Sequence, residues 1–217
     1  MNFFDSFPPP EPPRRPRRPR PVAWHAPARN IMPVALAVDG ILVQRTDMAV
    51  YVNGFNVYPN GFTLTVNALR KQVEYHGRDD PRVQHANPFG SHGFRGEPDA
   101  AEELARVLRI GVRFGDGRSA VAEGFSAWRG EPDAPPVPPV INVSSGHGSE
   151  NEWTQGFWVW GIPEEGDIEL IYSWPAEAVP ESRFELDGAA VRNAAARVVT
   201  LWDEPEDEAE ENADAQD

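Results

Sequence analysis

The chain contains no cysteine. That excludes disulfides and thiolate zinc sites, so any fold must rest on packing and hydrogen bonds alone. Basic side chains are scarce beside acidic ones, with 20 Lys and Arg against 34 Asp and Glu in 217 residues and a formal charge of −14. A molecule so charged repels phosphate backbones, which disfavours nucleic acid as a partner. No apolar run approaches the length of a membrane span, and Met1-Asn2-Phe3-Phe4 runs into prolines rather than following the basic-then-apolar order of a secretion signal. The expectation is a cytoplasmic protein with no membrane span. Also missing are the Gly-x-Ser-x-Gly elbow of hydrolases and the phosphate-cradling Gly-x-x-x-x-Gly-Lys.

What the chain does have is segregated charge. Residues 1–30 hold Arg14, Arg15, Arg17, Arg18, Arg20 and Arg29 against Asp5 and Glu11, a net of +4, whereas residues 203–217 hold nine acidic side chains and no basic one. Neither end is apolar enough to offset the entropy of ordering it, so residues 1–30 read as a disordered Pro/Arg-rich head and 203–217 as a disordered acidic tail. Pro8 to Pro21 is so proline-rich that an extended polyproline II rod is expected, presenting Arg14, Arg15, Arg17 and Arg18 to a partner. Phe3 and Phe4, with Phe7, precede that rod and are candidate docking groups.

Between the ends, residues 31–202 are one domain's worth of chain. A strand with one buried face must alternate, and three segments do so cleanly. They are Phe62, Leu64, Val66 and Ala68; Leu108, Ile110, Val112 and Phe114; and Ile168, Leu170, Tyr172 and Trp174. Less regular candidates span 34–38, 41–45, 48–57, 118–123 and 154–160. Turn residues at Asp39-Gly40, Asn53-Gly54, Asn60-Gly61, Gly115-Asp116-Gly117 and Pro163-Glu164-Glu165-Gly166 separate them. The expected hairpins pair 48–57 with 61–70, 108–114 with 118–123, and 154–160 with 168–174. Antiparallel sheets with one apolar face are covered most simply by packing two of them together. A helix capped by Asp187 is predicted over 188–198, with Val191, Ala195 and Val198 on one stripe, and a short one from Pro98 to Leu104 or Ala105.

Two long interruptions, 75–97 and 124–153, carry four of the five histidines. The spacings of His76, His85 and His92 match no ligand pattern, so neither metal nor cofactor is expected. Ser144-Ser145-Gly146-His147-Gly148-Ser149 places hydroxyls beside an imidazole, but a mobile Gly/Ser loop cannot hold a nucleophile, base and orienting group in line. The reading is noncatalytic. Seven tryptophans are a high number for this length, and Trp153, Trp158 and Trp160 lie together on one strand and its approach with Phe157. Alternation puts Phe157 and Val159 on one face and Trp158 and Trp160 on the other. Either that strand is covered on both sides or one side is a contact surface. With Trp128, these tryptophans complete the candidate partner-binding residues.

The run Phe157-Trp158-Val159-Trp160-Gly161-Ile162-Pro163-Glu164-Glu165-Gly166, followed by Ile168-Glu169-Leu170-Ile171-Tyr172-Ser173-Trp174-Pro175, resembles the late hairpin of uncharacterised bacterial immunoglobulin-like β-sandwich proteins. The likeness extends back through Tyr58-Pro59-Asn60-Gly61-Phe62 and covers residues 34–202. It implies a fold and carries no activity, cofactor or catalytic residue. The expectation is therefore a mainly β chain: an antiparallel two-sheet immunoglobulin-like sandwich with a C-terminal helix and disordered termini. Its expected role is a noncatalytic protein-interaction or assembly module, self-associating through head and tail. The alternative is a carbohydrate-binding sandwich that stacks sugars on Trp128, Trp153 or Trp158.

Overall fold

A computed structural model describes residues 22–71, 87–90, 105–122, 136–149 and 151–203. In chain order the strands are β1 (Ile31–Met32), β2 (Val34–Leu36), β3 (Gly40–Gln44), β4 (Met48–Tyr58), β5 (Gly61–Arg70), β6 (Arg109–Phe114), β7 (Ser119–Val121), β8 (Val140–Gly148), β9 (Glu152–Trp160), β10 (Ile168–Trp174), β11 (Val179–Leu186) and β12 (Val199–Thr200). Among the described residues a helix, α1 (Gly188–Ala195), follows β11. The described protein is mainly β, and every strand pair is antiparallel. Among the described strands the sheets are open, with no barrel.

The larger sheet runs β2-β4-β5-β9-β8, and β3 shares the β4 edge with β2. In β4 the apolar positions change phase, since Val50 and Val52 are even-numbered and Phe55 and Val57 odd-numbered, yet all four are buried. A one-residue slip would turn half the strand inside out. The bulge between Asn53 and Asn56 absorbs it, with Gly54 at φ +65°, so Val52 still faces Val66 and Val57 faces Phe62.

The smaller sheet runs β11-β10-β6-β7. Its alternation is regular, so Ile168, Leu170 and Tyr172 oppose Phe114, Val112 and Ile110 with all six buried. The other face is charged: Glu169 sits opposite Arg113 and pairs with it, and Arg183 approaches Glu169 at 3.7 Å. Both sheets contribute to one core. The Tyr172 hydroxyl donates to the Leu42 carbonyl at 2.8 Å, tying β10 to β3 across it.

Two of the expected hairpins form, β4 with β5 and β6 with β7. The third does not. Both edges of β9 are occupied, by β5 and β8, while β10 lies between β6 and β11 in the other sheet. Residues 161–167 are thus a corner between sheets, entered at Gly161 with φ +108°, and the segment that resembled a late hairpin is not one. The physical reason is that β5 and β8 take both hydrogen-bonding edges of β9, and the left-handed turn at Gly161 carries the chain across to the other sheet. A second correction concerns the interruption 124–153: its Gly/Ser stretch 144–149, expected to be a mobile loop, falls largely within β8, Val140–Gly148.

Helix α1 is capped as expected, Asp187 accepting from the Ala190 amide at 2.9 Å. It ends at Ala195, short of 198, so its buried stripe is Val191 and Ala194, packed toward β2 and β4. We expect Asp187→Ala to cost about 1 kcal/mol, read as a shift in urea midpoint with an unchanged slope. Most of the short helix from Pro98 lies outside the described residues.

Candidate interaction surface

The outer face of the larger sheet would leave Trp158 in water, because alternation sends Phe157 and Val159 to the core and Trp158 the other way. Instead Trp158 is fully buried. What covers it is the segment beginning at Val22, which turns through a His25 N–H to Val22 carbonyl bond of 2.8 Å. The Trp158 indole N–H donates to the Ala23 carbonyl at 3.1 Å, and the Asn142 amide donates to the Trp24 carbonyl at 2.6 Å. Trp24 meets Trp160 edge-on at 6.0 Å, and Tyr58 meets Trp158 edge-on at 5.5 Å. Burial in this layer raises the Tyr58 phenol above its ordinary pKa.

Residues 22–30 were assigned from composition to a disordered head. They form a strap, and that boundary is corrected. Averaging over 30 residues let the prolines and arginines mask Trp24, which finds an apolar partner.

The strap leads into a clasp. β1 pairs with β12, Ile31 opposite Thr200 and Met32 opposite Val199. Beyond the ladder the Leu201 amide donates to the Asn30 carbonyl at 2.7 Å, and the Asn30 side chain donates to the Trp202 carbonyl at 3.0 Å. Because the pairing is antiparallel, residue 30 and residue 202 lie at the same end of it. The clasp is unusually apolar for exposed structure: Met32 is 50 % exposed, Val199 46 %, Leu201 49 % and Trp202 56 %. A cluster of that kind at the junction of two chain ends is the clearest contact candidate on the described surface. In the sequence, Leu201 and Trp202 are simply the last residues of the 31–202 domain, and no motif sets them apart.

Of the candidate partner-binding residues, Trp153 and Trp158 are buried on opposite faces of β9, and Trp160 is half-buried against Trp24. The strand is covered on both sides, which is the first of the two arrangements its alternation allowed. Phe3, Phe4, Arg14, Arg15, Arg17, Arg18 and Trp128 lie outside the described residues. So do His76, His85 and His92.

Ser145 and His147 stand on the outer face opposite Gly156 and Thr154. Beside them Asn67 accepts from Thr154 at 2.9 Å and donates to Asn53 at 2.7 Å, a neutral polar row across three strands. Among the described residues no group of three or more His, Asp or Glu is placed to hold a metal ion, and no helix is long and apolar enough to cross a membrane. At the β6–β7 turn, hydrogen bonds from the Arg118 side chain and amide hold the Asp116 carboxyl below the usual carboxylate range. Arg118 also donates to the Pro138 carbonyl at 3.1 Å, fixing the approach to β8. No protein-family model, curated protein or solved structure matches the chain.

Proposed function

We propose that this protein is a noncatalytic interaction or assembly module, an immunoglobulin-like sandwich that carries two oppositely charged ends. The observation behind this reading is the clasp, which brings Asn30 and Trp202 together beneath an exposed cluster of Met32, Val199, Leu201 and Trp202. Two antiparallel sheets on one core support the sandwich part of it.

Residues 22–30 lie on the larger sheet as the strap, so the basic run Arg14–Arg20 leaves at residue 22 and the acidic run leaves the clasp at 203; tethering both to one folded body raises the effective concentration of each about the other. The clasp also offers a partner an apolar patch at the root of the acidic segment. Exposed charges are screened beyond about 10 Å at 0.1 M salt, so association through the ends weakens as salt rises. The test compares the full chain with one lacking 204–217 by sedimentation and crosslinking across a salt series. Association or capture that is present at low salt and lost on truncation is the expected result. Identical behaviour of the two chains at every salt concentration would sink the reading.

The carbohydrate alternative has less to stand on, because a stacking platform must be open and Trp153 and Trp158 are enclosed. Tryptophan fluorescence unchanged across a glycan panel would remove it.

A further inference from the structure

An unpaired strand edge offers a row of free N–H and C=O groups, and proteins protect such edges with prolines, charges or brevity. The described edges of this protein can be compared on that basis. β11 carries Pro180, Glu181, Arg183 and Glu185. β7 is three residues long and follows Arg118. The β2 and β3 edge is broken into pieces of three and five residues, with Asp39 in the gap and Pro33 ahead of it. β8 differs from all of these. It is nine residues, Val-Ile-Asn-Val-Ser-Ser-Gly-His-Gly, with no proline and no carboxylate, lysine or arginine, and it pairs only with β9 among the described strands.

Its one irregularity is a bulge between Val143 and Ser145; beyond that, Ser145 to Gly148 stay in regular register with Gly156 to Trp153. Residues 144–148 are all exposed. The glycines here are not slack. A Cβ at Gly148 would overlap the Trp153 indole, and one at Gly146 would lie 3.0 Å from the Gln155 amide oxygen, so side chains of β9 roof the glycine positions. The Gln155 amide also donates to the Ser145 carbonyl. The edge is therefore stiffened from within, while no described strand takes its outer hydrogen-bonding row.

We propose that β8 is a homodimerisation edge, pairing antiparallel with β8 of a second copy about a two-fold axis. A two-fold antiparallel pair is self-complementary by geometry, each strand supplying what the other lacks. Charge selects the occupant. Two chains of −14 repel each other nearly everywhere, and β8 is the one long described edge along which they meet with no charge against charge. The contact lies away from the clasp and does not depend on the charged ends.

The test uses the full chain and a Ser144→Lys, His147→Lys double variant. Both positions are exposed, so the fold is retained, and like charges set across a strand pair weaken it. Sedimentation equilibrium is expected to give a dimer whose dissociation constant rises about tenfold in the variant and, for the unaltered chain, falls as salt screens the repulsion between two −14 chains. Hydrogen exchange should show amides 144–148 more protected at high protein concentration than at low. A wild-type chain monomeric throughout, or a dimer indifferent to the variant, overturns the proposal. So does protection that is independent of concentration, which would mean the protein's own residues occupy the edge. A dimer lost on removing 204–217 or on adding salt belongs to the clasp instead, and it likewise overturns β8 pairing.

Discussion

Trp158→Ala is expected to lower stability by about 3–5 kcal/mol, the range for removing a large aromatic from a fully packed site. Trp158 is enclosed although it lies on the outer side of the larger sheet. Its removal strips the contact with Tyr58 and leaves the Ala23 carbonyl without its indole donor. The strap then keeps the Asn142 bond and the edge of Trp160 among its contacts but loses the ring it lies across. Urea denaturation measures the loss. Trp158→Phe separates its parts, because the ring is largely kept while the indole N–H is lost, and we expect about 1–2 kcal/mol from it. A loss below about 1 kcal/mol for the alanine variant would mean that Trp158 is not packed as described. A red shift in the remaining tryptophan emission, reporting water at Trp24 and Trp160, should accompany the alanine variant.

Gly61→Ala is expected to cost about 3 kcal/mol, at the top of the range for overpacking, although it adds a single methyl group. Gly61 opens β5 opposite Trp160. A Cβ there would overlap the backbone carbonyl oxygen of Val159 and lie 2.7 Å from the Trp158 ring. A side chain can rotate aside, but a ladder carbonyl cannot move without separating β5 from β9. Gly117→Ala is the control. That residue has φ +89° and open space around it, so the substitution pays only backbone strain of about 1–2 kcal/mol. If thermal denaturation ranks Gly117→Ala as the worse of the two, the close approach at Gly61 is wrong.

The two glycines show why some of this fold was legible in the sequence and some was not. Asn60-Gly61 and Gly115-Asp116-Gly117 mark turns by composition, and the strands beside them alternate, so β5, β6 and β10 and two hairpins could be read locally. β8 could not, because the residues filling the inner side of Gly146 and Gly148 belong to β9. Nor could the partners of β9, whose edges are taken by β5 and β8 and not by β10, its next strand in sequence. β11 was hidden by Pro180 and its charges, the devices that suit it to an edge. As for the candidate site, the tryptophans of β9 were singled out correctly as unusual, but their exposure was a question of what covers them. The answer lay at Ala23 and Trp24, more than a hundred residues away. The clasp is two residue pairs long, too short to leave any period in the sequence.

The clasp also decides how the protein answers to tension. Because residues 30 and 202 leave from the same end of the β1–β12 ladder, a pull between the two ends opens it like a zipper, loading one hydrogen bond at a time. Force from the N-terminal side reaches the strap first, through its bonds to Trp158 and Asn142 of the larger sheet, so the strap peels away before the clasp is loaded. Anchored at both ends, the chain would act first as a soft extensible link and only afterwards as a rigid body.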